Sequence, residues 1–429
     1  MIRCGFYEMD ITPFVGCRIP GSFEKRTVED VTDVPYAKAA VIDNGLEKVA
    51  IVCSDILYIY GESYKKILDR ICAHTDLKRE NIMVTATHNH SGGPTDYDLH
   101  TDEDKLYVEM AWRKAADAVI LANQRLYEAC VGFGGVEMKD CNFVRDFYMK
   151  DGSLCTQPPY RSPDIDRPES DPDPLFTVLS FHDAQGKPLG AIANFACHPN
   201  NMCDLAKVSG EYPCVLGRAL KKKYGEDFIC VFLTGTCGNI NAWSNQLRDA
   251  WPVGIHRELG EKLAAAAAGL IDTVSPMEDE TVLSRKEKVV AIRRRPSSEE
   301  LEEARRIIAS GDAANDMLRN NAQWILDYQE ICLRYGDIPL DIQALRIGEC
   351  VIHAIPAEVF CHFGHYIRAN TPAKKNMVVS LSNGSCLYIL PKELVGSDLY
   401  EAQVNSNIYE ADTGYLISDT VLKLARELV

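Results

Sequence analysis

Positive charge is what this sequence is short of. Its 429 residues carry 46 Lys and Arg against 62 Asp and Glu, a formal net charge of −16. A field of that sign repels phosphate backbones, so nucleic acid is excluded as an expected partner. Long hydrophobic runs are also missing. The longest, Leu263–Ile271, falls far short of the roughly 20 residues that a membrane span needs. The opening Met1-Ile2-Arg3-Cys4-Gly5 leads into strand-like sequence with no signal-peptide core, which predicts a cytoplasmic protein. Sixteen cysteines are present, yet no C-x-x-C pair occurs, so the common structural-zinc spacing is absent. Most lie in apolar runs, such as Cys53 in Ile51-Val52-Cys53 and Cys230 in Ile229-Cys230-Val231. They are expected to be reduced core residues, packing as small hydrophobes. No internal repeat or low-complexity tract stands out.

What is present is an ordinary globular composition, 46% hydrophobic and 25% charged, which excludes disorder, collagen and coiled coil as global descriptions. Apolar, β-branched runs at 39–42, 49–54, 82–86, 179–181, 191–196 and 229–233 read as strands. Residues 62–73, 104–122 and 258–271 show helical periodicity. Such alternation predicts an α/β fold with a mixed sheet, with a hairpin turn at Asp183–Pro188. The Pro- and Asp-rich stretch Pro158–Pro174 is expected to be irregular, as a surface connection or a lid. Residues 297–335 are expected to form a helical hairpin inserted into a single domain spanning 1–429. Short strands resume at 341–347 and 351–354, with Gly348-Glu349 as their turn.

Two strand ends carry the chemistry. Thr87-His88-Asn89-His90-Ser91-Gly92-Gly93-Pro94 follows the strand at 82–86. In an extended segment, residues i and i+2 face the same way, so His88 and His90 are expected to converge. Phe195-Ala196-Cys197-His198-Pro199 ends another strand in a histidine, and strand ends are where α/β sheets place ligands.

These segments resemble the neutral/alkaline non-lysosomal ceramidases. The first is similar to that family's T-H-T-H-S-G-P-G, the second to its F-A-x-H-P. Ser209-Gly210-Glu211 resembles its S-G-D, Asp10-Ile11-Thr12 its D-I-T, and Ser54-Asp55 the end of its S-A-D strand. Ala354-Ile355-Pro356-Ala357-Glu358 is similar to V-P-G-E, and Ser382-Asn383 through Tyr388 to S-N-x-x-x-x-Y. The resemblance runs from residue 10 to about 401 and implies an α/β hydrolase-like catalytic domain without the family's separate C-terminal β-domain. It implies one zinc held by His88, His198, Glu358 and Tyr388, with His90 and Arg145 contacting the substrate or the transition state. A water activated by that metal would attack an amide or ester carbonyl.

One segment departs from the pattern. Where the family has G-D-x-S-P-N, this chain has Gly238-Asn239-Ile240-Asn241, with Asn241 in place of the serine. An amide cannot serve as a hydroxyl nucleophile, though it can donate and accept hydrogen bonds. Nearby Cys237 is expected to be a buried structural thiol. The expectation is therefore a zinc-dependent hydrolase on a small-molecule or lipid-like substrate other than ceramide. The alternatives are a metal-dependent enzyme on a small polar or sugar-like substrate, or a metal-retaining binding protein without turnover.

Overall fold

The computed structural model describes residues 2–429 except Phe23, Tyr97, Asp98, Cys203, Asp204, 311–315, Ser385 and Cys386, with only the backbone of residues 316 and 317. Eight strands form the larger sheet: β1 (Ile2–Asp10), β2 (Tyr36–Asp43), β3 (Lys48–Ser54), β4 (Ile82–Ala86), β5 (Tyr127–Glu137), β6 (Leu175–His182), β7 (Pro188–Phe195) and β8 (Ile229–Thr234). Their spatial order is β8-β7-β6-β5-β1-β2-β3-β4. Only the two outermost pairs, β3–β4 and β7–β8, are parallel. A second sheet contains β9 (Val282–Ala291), β10 (Ile338–Ile347), β11 (Cys350–Ala354) and β12 (Lys375–Val379) in that order.

The strands read as continuous apolar runs because both faces are covered. In β3, Val49, Ile51 and Cys53 pack against Leu345, Ile352 and Val379 of the second sheet, while Ala50 and Val52 face a different core. That second core contains Ile67 and Ile71 of α1 (Gly61–His74) and Ala115 and Val119 of α2 (Asp102–Asn123). The period-2 alternation of a strand thus feeds two cores at once. Helices α3 (Glu211–Tyr224) and α4 (Ile255–Thr273) cover β6–β8 on the same outer side. The chain is therefore layered helix, sheet, sheet, helix.

The predicted helical hairpin is α5 (Ser298–Ser310) and α6 (Asp316–Arg334); its connection, 311–315, lies outside the described residues. Tyr328 and Cys332 of α6 join the core beneath the second sheet, with residues of α7 (Cys361–Asn370) and α8 (Thr413–Arg426). Pro158–Pro174 is not wholly irregular. Ile165–Pro168 pairs with Asp146–Met149 as a short strand, where backbone pairing overrides a composition poor in strand formers. The fourteen described cysteines are all free, and eleven of them are buried. Among the described residues, no helix is long and apolar enough to cross a membrane.

β4 and β7 lie far apart in the order of the larger sheet, yet their ends meet. Residues just after β12 bridge the two edges: Ser380 N donates to Thr234 O at the end of β8, and Ser382 pairs with Thr85 in β4. The Thr234 hydroxyl donates to Thr87 O at 2.8 Å. The second sheet thus closes the first around the segments that carry His88 and His198.

Candidate metal and catalytic centre

Both histidine segments leave their strands and enter one buried space. The ring centroids of His88 lie 4.8 Å from those of both His90 and His198. The extended conformation expected for this segment is not what joins the first two. His88 has φ +66, in the left-handed region that a non-glycine residue seldom adopts. The turn there, rather than strand alternation, places His90 Nε2 3.2 Å from His88 Nε2. Nitrogen atoms of His88, His90 and His198 fall within 4.8 Å of one another, a grouping that can hold a metal ion.

Glu358 completes the cluster. Its Oε1 lies 3.0 Å from His88 Nε2 and 2.8 Å from His198 Nε2. Glu358 and Tyr388 pair directly across two short parallel strands, Glu358–Val359 and Tyr388–Ile389, which places two oxygen donors side by side. Each histidine is oriented by a backbone carbonyl: Nδ1 of His88 meets Leu57 O at 3.0 Å, Nδ1 of His198 meets Ile240 O at 3.0 Å, and Nδ1 of His90 meets Gly21 O at 2.6 Å. A carbonyl only accepts, so each Nδ1 is the donor and a neutral ring has its lone pair on Nε2. Burial, with Arg145 nearby, pushes the pKa of His198 down to about 4; burial and the neighbouring imidazoles hold His90 well below its usual value. Burial alone would raise Glu358, but His88 and His198 outweigh it and keep the carboxyl well below its ordinary range. The Nε2 atoms of His88 and His198 thus converge on Oε1 of the Glu358 carboxylate, an arrangement that a cation held between them would satisfy. Backbone carbonyls that accept from Nδ1 and leave Nε2 facing inward are the usual outer partners of a histidine metal site. The donor set fits a borderline divalent metal.

Arg145 and Asn241 arrive on a two-stranded ribbon, Phe143–Val144 against Ile240–Asn241. Arg145 Nη2 donates to the Tyr388 hydroxyl at 2.9 Å, and Nε donates to Glu401 at 2.8 Å. Asn241 is fully buried and its Oδ1 accepts from Asn200 Nδ2 at 3.0 Å. Cys237 is a buried thiol whose pKa burial drives well above the usual range, as the sequence led us to expect. The sequence reading missed Glu401, a buried acid that also accepts from the Thr156 hydroxyl. Its one signal was an acid set among apolar residues in Leu399-Tyr400-Glu401-Ala402.

Residues 5–215 match the N-terminal domain of the neutral/alkaline non-lysosomal ceramidases. The family resemblance holds. The matched stretch contains His88, His90, Arg145 and His198 and ends before Asn241, Glu358 and Tyr388. A neutral ceramidase of Pseudomonas aeruginosa is 29% identical to this chain over 213 residues, 47% of this chain and 30% of that protein. The aligned stretch thus spans less than a third of that relative. Two solved structures share the fold. A ceramidase complexed with C2 superposes with a TM-score of 0.74 at 20% identity, covering 99% of this chain and 75% of its own. A neutral ceramidase from Pseudomonas aeruginosa superposes with a TM-score of 0.71 at 20% identity, covering 99% and 74%.

Proposed function

We propose that this chain is a zinc-dependent hydrolase that cleaves an amide or ester bond in a substrate other than long-chain ceramide. The observation that carries this reading is the inward-facing Nε2 pair of His88 and His198 on Glu358 Oε1, with both Nδ1 atoms tied to carbonyls. His88, His198, Glu358 and Tyr388 would hold the metal. Zinc bound there supplies a Lewis acid and lowers the pKa of a water to about 7.

The chain's own residues would do the rest. His90 has Nδ1 on Gly21 O and Nε2 3.2 Å from His88 Nε2, and that Nε2 would accept a proton and pass it to the leaving group. Arg145 spends Nε on Glu401 and Nη2 on Tyr388, which leaves its remaining N–H groups for a developing oxyanion. Asn241 can hydrogen-bond but not attack.

The reading that long-chain ceramide is not the substrate rests on Asn241, an amide where the resembling family has a serine.

The test is zinc stoichiometry by elemental analysis, together with turnover. Wild type should hold one zinc per chain, and His88→Ala and His198→Ala should lose it. His90→Ala should keep zinc and lower kcat by about 10²–10⁴-fold. Loss of zinc from His90→Ala would make that residue a ligand instead. Sphingosine release from ceramide at a rate typical of an efficient hydrolase would refute the substrate reading.

A further inference from the structure

Glu211 has no role in the chemistry above, yet its geometry is unusual. It opens α3, is fully buried, and has φ +53, a left-handed conformation costing on the order of 1–3 kcal/mol for such a residue. Burial also pushes its carboxyl up to about 7. A residue kept under two such penalties is held by what its side chain grips.

We propose that Glu211 is a positioning residue that locks the His90 and His198 segments against each other, and so sets the metal-binding geometry; this rests on the proposed function. Glu211 Oε1 accepts from Met202 N at 2.7 Å and from the Ser91 hydroxyl at 3.5 Å, while Oε2 accepts from Asn201 Nδ2 at 3.3 Å. Met202 and Asn201 follow His198, and Ser91 follows His90. One carboxylate therefore touches both histidine segments. Its neighbours reinforce the grip. Ser209 N donates to Ser91 O at 3.0 Å, and Asn89 Nδ2 donates to Ser209 O at 2.7 Å. The Tyr212 hydroxyl donates to Cys197 O, just before His198, at 2.7 Å. The two segments join directly through His90 N and Pro199 O at 3.0 Å. Without the carboxylate, Met202 N and Asn201 lose their shared acceptor, and that last bond is the first to loosen.

The experiment compares Glu211→Ala, Glu211→Gln and Leu263→Ala. The last removes a fully buried side chain of α4 and is a control for lost stability alone. Zinc affinity is measured by chelator competition, and the cobalt-substituted protein is followed by its visible absorption. Glu211→Ala should weaken zinc by about 10–100-fold, as loss of an outer partner does, and should alter the cobalt spectrum. Glu211→Gln keeps the acceptor for Met202 N and should stay within about threefold of wild type by the same scale. Leu263→Ala should leave affinity and spectrum unchanged. In the metal-free protein, hydrogen exchange at the His90 amide should quicken in Glu211→Ala and not in Leu263→Ala. Unchanged exchange at His90 overturns the proposal, as does a zinc loss that Leu263→Ala reproduces. Wild type that binds no zinc but shows the exchange difference overturns the zinc reading and leaves the lock standing.

Discussion

Replacing Arg145 with methionine should expose how much the buried ion pair beside the centre is worth. The Arg145 side chain is 6% exposed and that of Glu401 0%, with Nη2 and Oε1 2.5 Å apart. Methionine fills much of the arginine stem's volume, so the charge is the main thing removed. Glu401 would then keep the Thr156 hydroxyl at 2.7 Å, beside the buried carboxyl of Asp146, which burial and Glu401 already push well above its usual range. Stranding one member of a buried pair costs about 3–5 kcal/mol, whereas removing both charges is often nearly neutral. With an m-value of roughly 3 kcal/mol/M, Arg145→Met should lower the urea midpoint by about 1–1.7 M. The double variant Arg145→Met/Glu401→Gln should recover at least about 2 kcal/mol relative to the sum of the single losses. The assay is urea denaturation of the four proteins, metal-free, at pH 7.5. A single-variant loss under about 1 kcal/mol, or strictly additive losses, would refute the claim that Arg145 and Glu401 are coupled as a buried ion pair.

Two further outcomes follow from particular side chains. His353 is fully buried with Nε2 on the Thr371 hydroxyl at 3.1 Å, and burial with Arg368 nearby pushes its pKa down to about 3. The unfolded chain, with a pKa near 6.5, takes up a proton that the folded chain refuses, so this stabilisation is complete above pH 6.5 and fades toward pH 3. Relative to His353→Leu, wild type should lose about 3 kcal/mol between pH 7.5 and 4.5; parallel stability profiles of the two proteins would contradict this. Gly93→Ala should cost about 1–3 kcal/mol by overpacking, because a Cβ there would lie 2.2 Å from the fully buried Tyr107 ring. A thermal melt matching wild type would show that Tyr107 can move aside.

The sequence by itself determined many of the strands, because a strand buried on both faces must be apolar throughout, and 82–86 matches β4 residue for residue; β5, β9 and β12 were not read from it. It also determined that two strands end in histidines, since that is a local fact. Glu358 and Tyr388 were legible through family likeness alone: nothing in a lone acid after a proline, or a tyrosine in a short apolar run, marks a shared strand pair. Tertiary structure decided the rest. His88 and His198 follow strands at distant places in the larger sheet's order, and those ends are joined by long-range contacts such as residues 380–382, crossing from Thr234 to Thr85, and His90 N on Pro199 O. The left-handed turn at His88 was not legible either: histidine is among the non-glycine residues enriched there, but the conformation is uncommon, and an extended segment was the better expectation. Glu401 became a partner of Arg145 across 256 residues of chain. No spacing rule reaches so far: a buried charge selects its counter-charge through space, and the requirement for one appears only once the core has closed around it.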